Sequence, residues 1–286
     1  MMIDSHVHTF YSKHATGTVD EVVRAALAKE VSVITFTDHA PFHVDKQNRL
    51  LECELNRYFD DIERARTAYR GQIKILRGLE LDFLPGATDY TARILARYDL
   101  DFAIGSIHYI PMAHGDQVKV WDLARLNDPA VLKRYFSGLA ELLSCGLFDS
   151  VGHADALLRG VPESVVRRYM EPLLPAFTRH NISFELNASG LRKTTLATSA
   201  GREVHGIWSY PSLSLMPLLI HAGATFTIGS DAHKPEDVGV GVREVVDALI
   251  PLGLKTVSYF EDRQRVDIEA TSLMTSRPSQ HTDLQQ

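Results

Sequence analysis

Residues 2–9 read Met-Ile-Asp-Ser-His-Val-His-Thr, an apolar opening that ends in two histidines one residue apart. Side chains alternate between faces of an extended chain, so His6 and His8 project to the same side. The pair alone decides little, because H-x-H occurs by chance; the question is whether the rest of the chain repeats the arrangement. It does. Short β-branched or apolar runs at Met2–Ser5, Val31–Thr37, Ile73–Leu81, Phe102–Ser106, Ser150–Gly152, Ile182–Leu186 and Thr225–Gly229 predict strands, and Thr256–Phe260 predicts a terminal one. Segments with helical spacing lie between them. Thr18 and Glu21 have capping-box spacing ahead of Val22, Val23, Ala26 and Leu27, and Pro129 follows Asp128 in a first-turn position. Segments 55–70, 88–97, 163–180, 212–222 and 236–250 complete the pattern. Seven β-then-α units predict an α/β fold with a parallel sheet, and so regular a run predicts closure into a barrel. An open doubly wound sheet is the alternative that pattern alone leaves.

The other strands end as the first does. His39 follows the second, Glu80 ends the third, His108 follows the fourth, His153 the fifth, and Asp231 and His233 the seventh. His14 lies in the loop before the first helix. Carboxyl ends of parallel barrel strands share one face, where the active site of such a barrel lies. These residues should therefore converge, although more than two hundred positions separate the first from the last. Each has a bland reading as a surface or hydrogen-bonded residue, but chance would scatter them over both ends. Imidazole and carboxylate donors suit Zn, Fe or Mn. Seven His with Glu80 and Asp231 exceed one ion's needs, so two or three divalent ions are expected, with a carboxylate bridging a pair. His43, His114, His180, His205, His221 and His281 lack this placement and are expected to be structural or solvated.

The chain has 286 residues, 45% of them hydrophobic and 23% charged, which fits a soluble globular domain. A net charge of −6 disfavours nucleic-acid or anionic-membrane partners. Cys53 and Cys145 are too few for a disulfide framework, and the N-terminus shows no secretory pattern, so a cytoplasmic location is expected. The Ser-, Thr- and Gln-rich stretch 271–286 is expected to be a disordered tail behind one domain spanning 1–270.

With D-S-H-V-H-T at 4–9, T-D-H at 37–39, G-L-E at 78–80, His108, G-H-A-D at 152–155 and S-D-A-H at 230–233, the chain resembles the PHP (polymerase and histidinol phosphatase) superfamily. H-A-T-G-T at 14–18, G-L-E-L-D-F-L-P-G at 78–86, G-S-I-H-Y-I at 105–110 and E-L-N-A-S-G-L-R-K at 185–193 resemble its histidinol-phosphate phosphatases. So do Y-P-S at 210–212 and S-D-A-H-K-P-E-D-V-G at 230–239. The resemblance implies a distorted (β/α)7, TIM-like barrel and hydrolysis of L-histidinol phosphate to L-histidinol and phosphate, a step of histidine biosynthesis. It further implies a trinuclear centre. One metal would be held by His6, His8, Glu80 and Asp231; a second by the bridging Glu80 with His108 and His153; a third by His14, His39 and His233. The segment Thr194–Ser209 departs from the family pattern and bears on substrate fit.

On this reading metal-bound hydroxide attacks phosphorus in line, and no phosphoenzyme forms. Arg159 and Arg192 are the expected phosphate clamps, their forked guanidinium groups suiting phosphate oxygens. Asp38 and Asp155 are expected to orient ligating histidines, and Asp82, Phe83 and Tyr109 to line a rim for the substrate's amine and imidazole. Three rivals stand beside it: a phosphoesterase for nucleotides, oligonucleotides or sugar phosphates, an amidohydrolase-type enzyme, and a non-catalytic sensor. A nuclease should carry a basic track with stacking aromatics, and none is visible.

Overall fold

Apolar strands covered on both faces set the architecture of this computed structural model, which describes residues 1–112, 115–120, 128–158, 161–193, 195–197, 203–205, 212 and 214–274. In chain order the strands are β1 (Met2–Val7), β2 (Val31–Phe36), β3 (Lys74–Asp82), β4 (Phe102–Ser106), β5 (Tyr109–Pro111), β6 (Gln117–Lys119) and β7 (Ser150–Val151). They continue with β8 (Ser183–Asn187), β9 (Thr195–Ala197), β10 (Glu203–His205), β11 (Phe226–Gly229), β12 (Thr256–Glu261) and β13 (Gln264–Glu269). The main sheet runs β1-β2-β3-β4-β7-β8-β11-β12-β13. Pairing is parallel from β1 through β11 to β12, and antiparallel only for the last hairpin. Every residue of β1, β4, β8 and β11 is buried, the mark of strands sandwiched between helices and a barrel interior. The first seven strands of that order are the seven expected, and the fold is the distorted TIM-like barrel. β5 with β6 and β9 with β10 form small antiparallel pairs outside it.

Closure between β1 and β11 is distinctive. A parallel bridge joins Val7 to Ala232, and His8 N–H donates to Ala232 O at 2.9 Å. Nearer the strand interiors the side chain of Asp4 takes over. Its carboxylate accepts from Ser230 N at 2.8 Å, Ser230 Oγ at 2.5 Å and Gly239 N at 2.7 Å. Burial pushes the Asp4 carboxyl above its usual range, against the pull of those hydrogen bonds. Gly229 permits the close approach: a Cβ there would collide with His6 Cβ and stand 2.8 Å from His6 N.

The helix beginnings match the capping signals. Thr18 and Glu21 form a reciprocal capping box, and Asp128 caps the helix Pro129–Ser144 through Ala130 N. Elsewhere glycine and proline trim the expectations. The segment 163–180 divides into Glu163–Met170, a 3-10 turn Glu171–Leu173 and Leu174–Arg179, because Pro172 and Pro175 lack the N–H that one helix needs. The segment 236–250 becomes α-helical only at Val242, after a 3-10 turn Pro235–Asp237 and after Gly239 and Gly241 turn the chain with φ of 71° and 84°. Helix Met216–His221 is likewise shorter than 212–222.

β13 was not expected: only Val266 and Ile268 give it an apolar face, alternating with Arg265, Asp267 and Glu269. With β12 it reaches the amino ends of the barrel strands: Phe260 stacks on Phe102 with centroids 5.2 Å apart, and Arg263 Nη2 donates to Leu147 O at 2.8 Å. The expected tail begins too early. Ala270–Leu273 forms a 3-10 turn with Leu273 buried, and Ser272 O accepts from the Met1 ammonium at 2.9 Å. Residues 275–286 lie outside the described residues. Among the described residues no helix is long and apolar enough to cross a membrane.

Candidate metal centre

The carboxyl ends of the barrel strands deliver the expected residues to one place. Seven of them, His14, His39, Glu80, His108, His153, Asp231 and His233, line a cavity of about 640 Å³. His6 and His8 are fully buried beside it. His6 Nε2 lies 3.3 Å from Glu80 Oε2 and 3.8 Å from Asp231 Oδ1; His8 Nε2 lies 3.5 and 3.3 Å from the same atoms. His39 Nδ1 is 3.0 Å from Glu80 Oε2, while His108 Nε2 and His153 Nε2 are 3.3 and 3.0 Å from Glu80 Oε1. His233 Nε2 meets His14 Nε2 at 2.9 Å. Glu80 thus stands at the middle with five imidazoles around its two oxygens.

Two corners that carry candidate ligands use unusual backbone. His153 and Asp231 have φ of 30° and 51°. Left-handed conformations cost a non-glycine residue about 1–3 kcal/mol, and the surroundings here hold them: His153 N–H donates to Glu185 Oε2 at 2.7 Å.

Electrostatics sort the donors. Burial alone would raise Glu80, but the imidazoles of His39, His6 and His108 hold its carboxyl well below the usual range. Asp231 is held low in the same way by His6, His8 and His233 against its burial. Burial lowers His39 to about 4 despite Glu80, and lowers His8 too, helped by the charge of His233. His108 goes the other way. Burial disfavours its cation, yet Asp82 and Glu80 raise it to about 10.

The donor set fits metal ions. His6 Nε2, His8 Nε2 and His39 Nδ1 are buried and, though carboxylate oxygens stand near them, make no well-directed hydrogen bond among the described residues, a costly state unless something coordinates them. Three sets of ligand atoms lie within 4.8 Å of one another: His6, His8 and Asp231; His39, Glu80 and His108; and His8, His39 and His233. The grouping differs in part from the one the resemblance implies, because His39 stands against Glu80 as well as beside His233.

The groups that hold these histidines from behind were only partly read from the sequence. Glu185, inside β8, takes His6 Nδ1 on one oxygen and His153 N on the other. Ser12 Oγ lies 3.2 Å from His8 Nδ1, accepts from His39 N at 3.1 Å and donates to Asp38 at 2.6 Å. Asp38 therefore steadies two histidines through Ser12 rather than directly. Asp155 accepts from Ser212 N at 2.7 Å, so the bond it shows is to Ser212 rather than to a histidine ring. Asp82 is not at the rim: it is buried between Arg49 and His108 Nδ1, the latter at 2.9 Å. Phe83 belongs to the hydrophobic core, whereas Tyr109 does line the cavity.

Arg192 lines the cavity as expected, but its guanidinium already donates to Ser230 O at 2.7 Å, Asp231 O at 3.2 Å and Val240 O at 3.2 Å. Arg159, the other expected clamp, lies outside the described residues, as do His114 and His281. His180 and His221 stand at helix C-termini, His43 packs on Phe42 at 4.2 Å, and only the backbone of His205 is described, in β10.

The PHP domain model matches residues 4–189. A probable histidinol-phosphatase of Deinococcus radiodurans is 29% identical over 266 residues, covering 90% of this chain and 96% of its own. The histidinol-phosphatase of Bacillus subtilis is 27% identical, covering 82% and 95%. Among solved structures, the histidinol phosphate phosphatase of Lactococcus lactis, complexed with zinc, L-histidinol and phosphate, superposes with a TM-score of 0.76 at 18% identity, covering 93% of this chain and 98% of its own. That likeness carries the barrel. The family model spans well over half of the sequence, and the chain belongs to the PHP domain family.

Proposed function

We propose that this protein is a metal-dependent phosphomonoesterase that hydrolyses L-histidinol phosphate to L-histidinol and phosphate, a step of histidine biosynthesis. The observation that carries the reading is the convergence of His6, His8, His14, His39, Glu80, His108, His153, Asp231 and His233 at one end of the barrel. Relatives named histidinol-phosphatase that align over nearly their whole length support the substrate. The nine residues would hold two or three divalent ions, zinc, iron or manganese, with Glu80 shared between sets. When bound, such ions would neutralise phosphoryl charge and lower the pKa of a water.

The chain's own residues do the rest. Neutral His8 and His39 keep lone pairs free for coordination, and Glu185, Ser12 and Asp82 fix the rings that face the cavity. Arg192 and Lys193 bring positive charge to the wall where the dianion would lie. Arg192 also pins the Ser230 and Asp231 carbonyls, so binding of phosphate and placement of Asp231 are joined in one side chain. Arg159 remains the second proposed clamp.

The test is phosphate release from L-histidinol phosphate beside nucleoside monophosphates, sugar phosphates, a phosphodiester and an oligonucleotide. The protein is assayed as purified, after chelation, and after return of Zn, Mn or Fe. A chelator-sensitive preference for histidinol phosphate of several orders of magnitude is expected. A flat profile, or one led by nucleotides or diesters, overturns the substrate.

A further inference from the structure

The cavity holds a feature that phosphate chemistry does not require. Asp45 sits in the loop after β2 with φ of 54°, and its side chain caps no helix. Its carboxylate is instead held in place from two sides, by the Tyr109 hydroxyl on Oδ2 and by Asn48 Nδ2 on Oδ1 at 2.7 Å. The backbone behind it is fixed as well, since Arg49 Nε donates to Asp45 O at 3.2 Å. Although burial works against the anion, hydrogen bonds from Tyr109 and Asn48 and the charges of Lys119 and Arg49 keep the carboxyl below its usual range. A fixed anion beside an aromatic face is a site for a cation.

A cation from the chain itself marks the spot. The Lys119 ammonium stands 3.9 Å from Asp45 Oδ2 and 5.9 Å from the centroid of the Tyr109 ring. Its side chain is about half exposed, on the short edge strand β6, so the contact is weak and exchangeable. Asp45, Tyr109 and Lys119 share the cavity with Glu80 and His108. Arg49 reaches from Asp45 to Asp82, and Asp82 holds His108, so the corner is rigidly tied to the candidate metal centre.

We propose that Asp45, backed by the Tyr109 ring, receives the positively charged, nitrogen-bearing end of the substrate in place of Lys119. The inference rests on the phosphomonoesterase reading above and adds a specificity determinant to it. Asp45 makes the enzyme prefer esters whose leaving alcohol carries an ammonium or imidazolium group.

The experiment compares wild type and Asp45→Asn on matched phosphate monoesters. L-histidinol phosphate carries both groups, L-alaninol phosphate only the amine, 3-(imidazol-4-yl)propyl phosphate only the imidazole, and propyl phosphate neither. The readout is the ratio of kcat/KM for each nitrogen-bearing ester to that for propyl phosphate. Losing one charge-assisted contact should cut that ratio roughly ten- to a hundredfold in Asp45→Asn, mainly through KM. Which single-group ester shows the fall tells whether the corner takes the amine or the imidazole. Lys119→Met should leave the wild-type preference in place or sharpen it. Ratios equal in wild type and Asp45→Asn for every ester overturn the proposal, even if histidinol phosphate is a good substrate. A wild type indifferent to histidinol phosphate whose amine preference still falls in Asp45→Asn keeps the corner and overturns the substrate. Melting curves confirm that Asp45→Asn is folded, and Asp45→Ser provides a second variant.

Discussion

His6 is held between two buried glutamates: its Nδ1 meets Glu185, and its Nε2 lies 3.3 Å from Glu80. One carboxylate fixes the ring so that the other nitrogen faces the cavity. Glu185→Gln should therefore lower metal affinity about 10–100-fold while preserving the fold. Competition with a chromophoric chelator measures it; unchanged affinity would remove Glu185 from the centre.

Glu80→Ala should bring turnover below about 1% of wild type, because Glu80 lies against five imidazoles. Bound metal should fall in the same preparation while far-ultraviolet circular dichroism stays that of the barrel. A fully active Glu80→Ala protein contradicts the assignment.

Arg49→Met should cost about 3–5 kcal/mol in urea unfolding, since it strips a buried Asp82 of its partner. Arg49→Lys should recover part of that loss. Both should also reduce metal occupancy, because Asp82 holds His108 at 2.9 Å. A loss of stability with full metal content would confine Arg49 to a structural role.

Asp155 should make stability pH-dependent. Burial raises its carboxyl from 3.8 to about 7, with a hydrogen bond from Ser212 N opposing. The stabilising contribution of the protonated form is complete below pH 3.8 and lost as pH rises through about 7. Between pH 5 and pH 8 the wild type should therefore lose about 1–3 kcal/mol relative to Asp155→Asn. Parallel stability curves for the two proteins would contradict this.

The convergence of the candidate ligands was legible in the sequence for a topological reason. In a parallel barrel the strand ends converge, so His39, His108, His153 and Asp231 announce themselves by following apolar runs. Their supports were less visible because they lie within strands or act through intermediaries. Glu185 did leave a sign: a carboxylate amid the buried Ser183-Phe184-Glu185-Leu186-Asn187 has to be partnered. Asp82 gave the opposite impression, since its sequence place suggests the rim and only Arg49, thirty-three residues away, reveals why it is buried. β13 had left a faint sign, Val266 and Ile268 alternating with Arg265, Asp267 and Glu269, but two apolar residues are few, and its pairing is decided by β12 beside it.

The barrel's seam would give bound metal ions a second effect. Between β1 and β11 a carboxylate takes the place of much of the backbone ladder, and more than two hundred residues separate the two strands in sequence. His6 and His8 lie on one side of that seam and Asp231 on the other, within 3.8 Å. Any ion they share would act as a clasp across a joint with little backbone ladder of its own. Such binding adds RT ln(1 + [L]/Kd) to the closed state alone. Amide protons flanking the seam should then report metal occupancy before any others do.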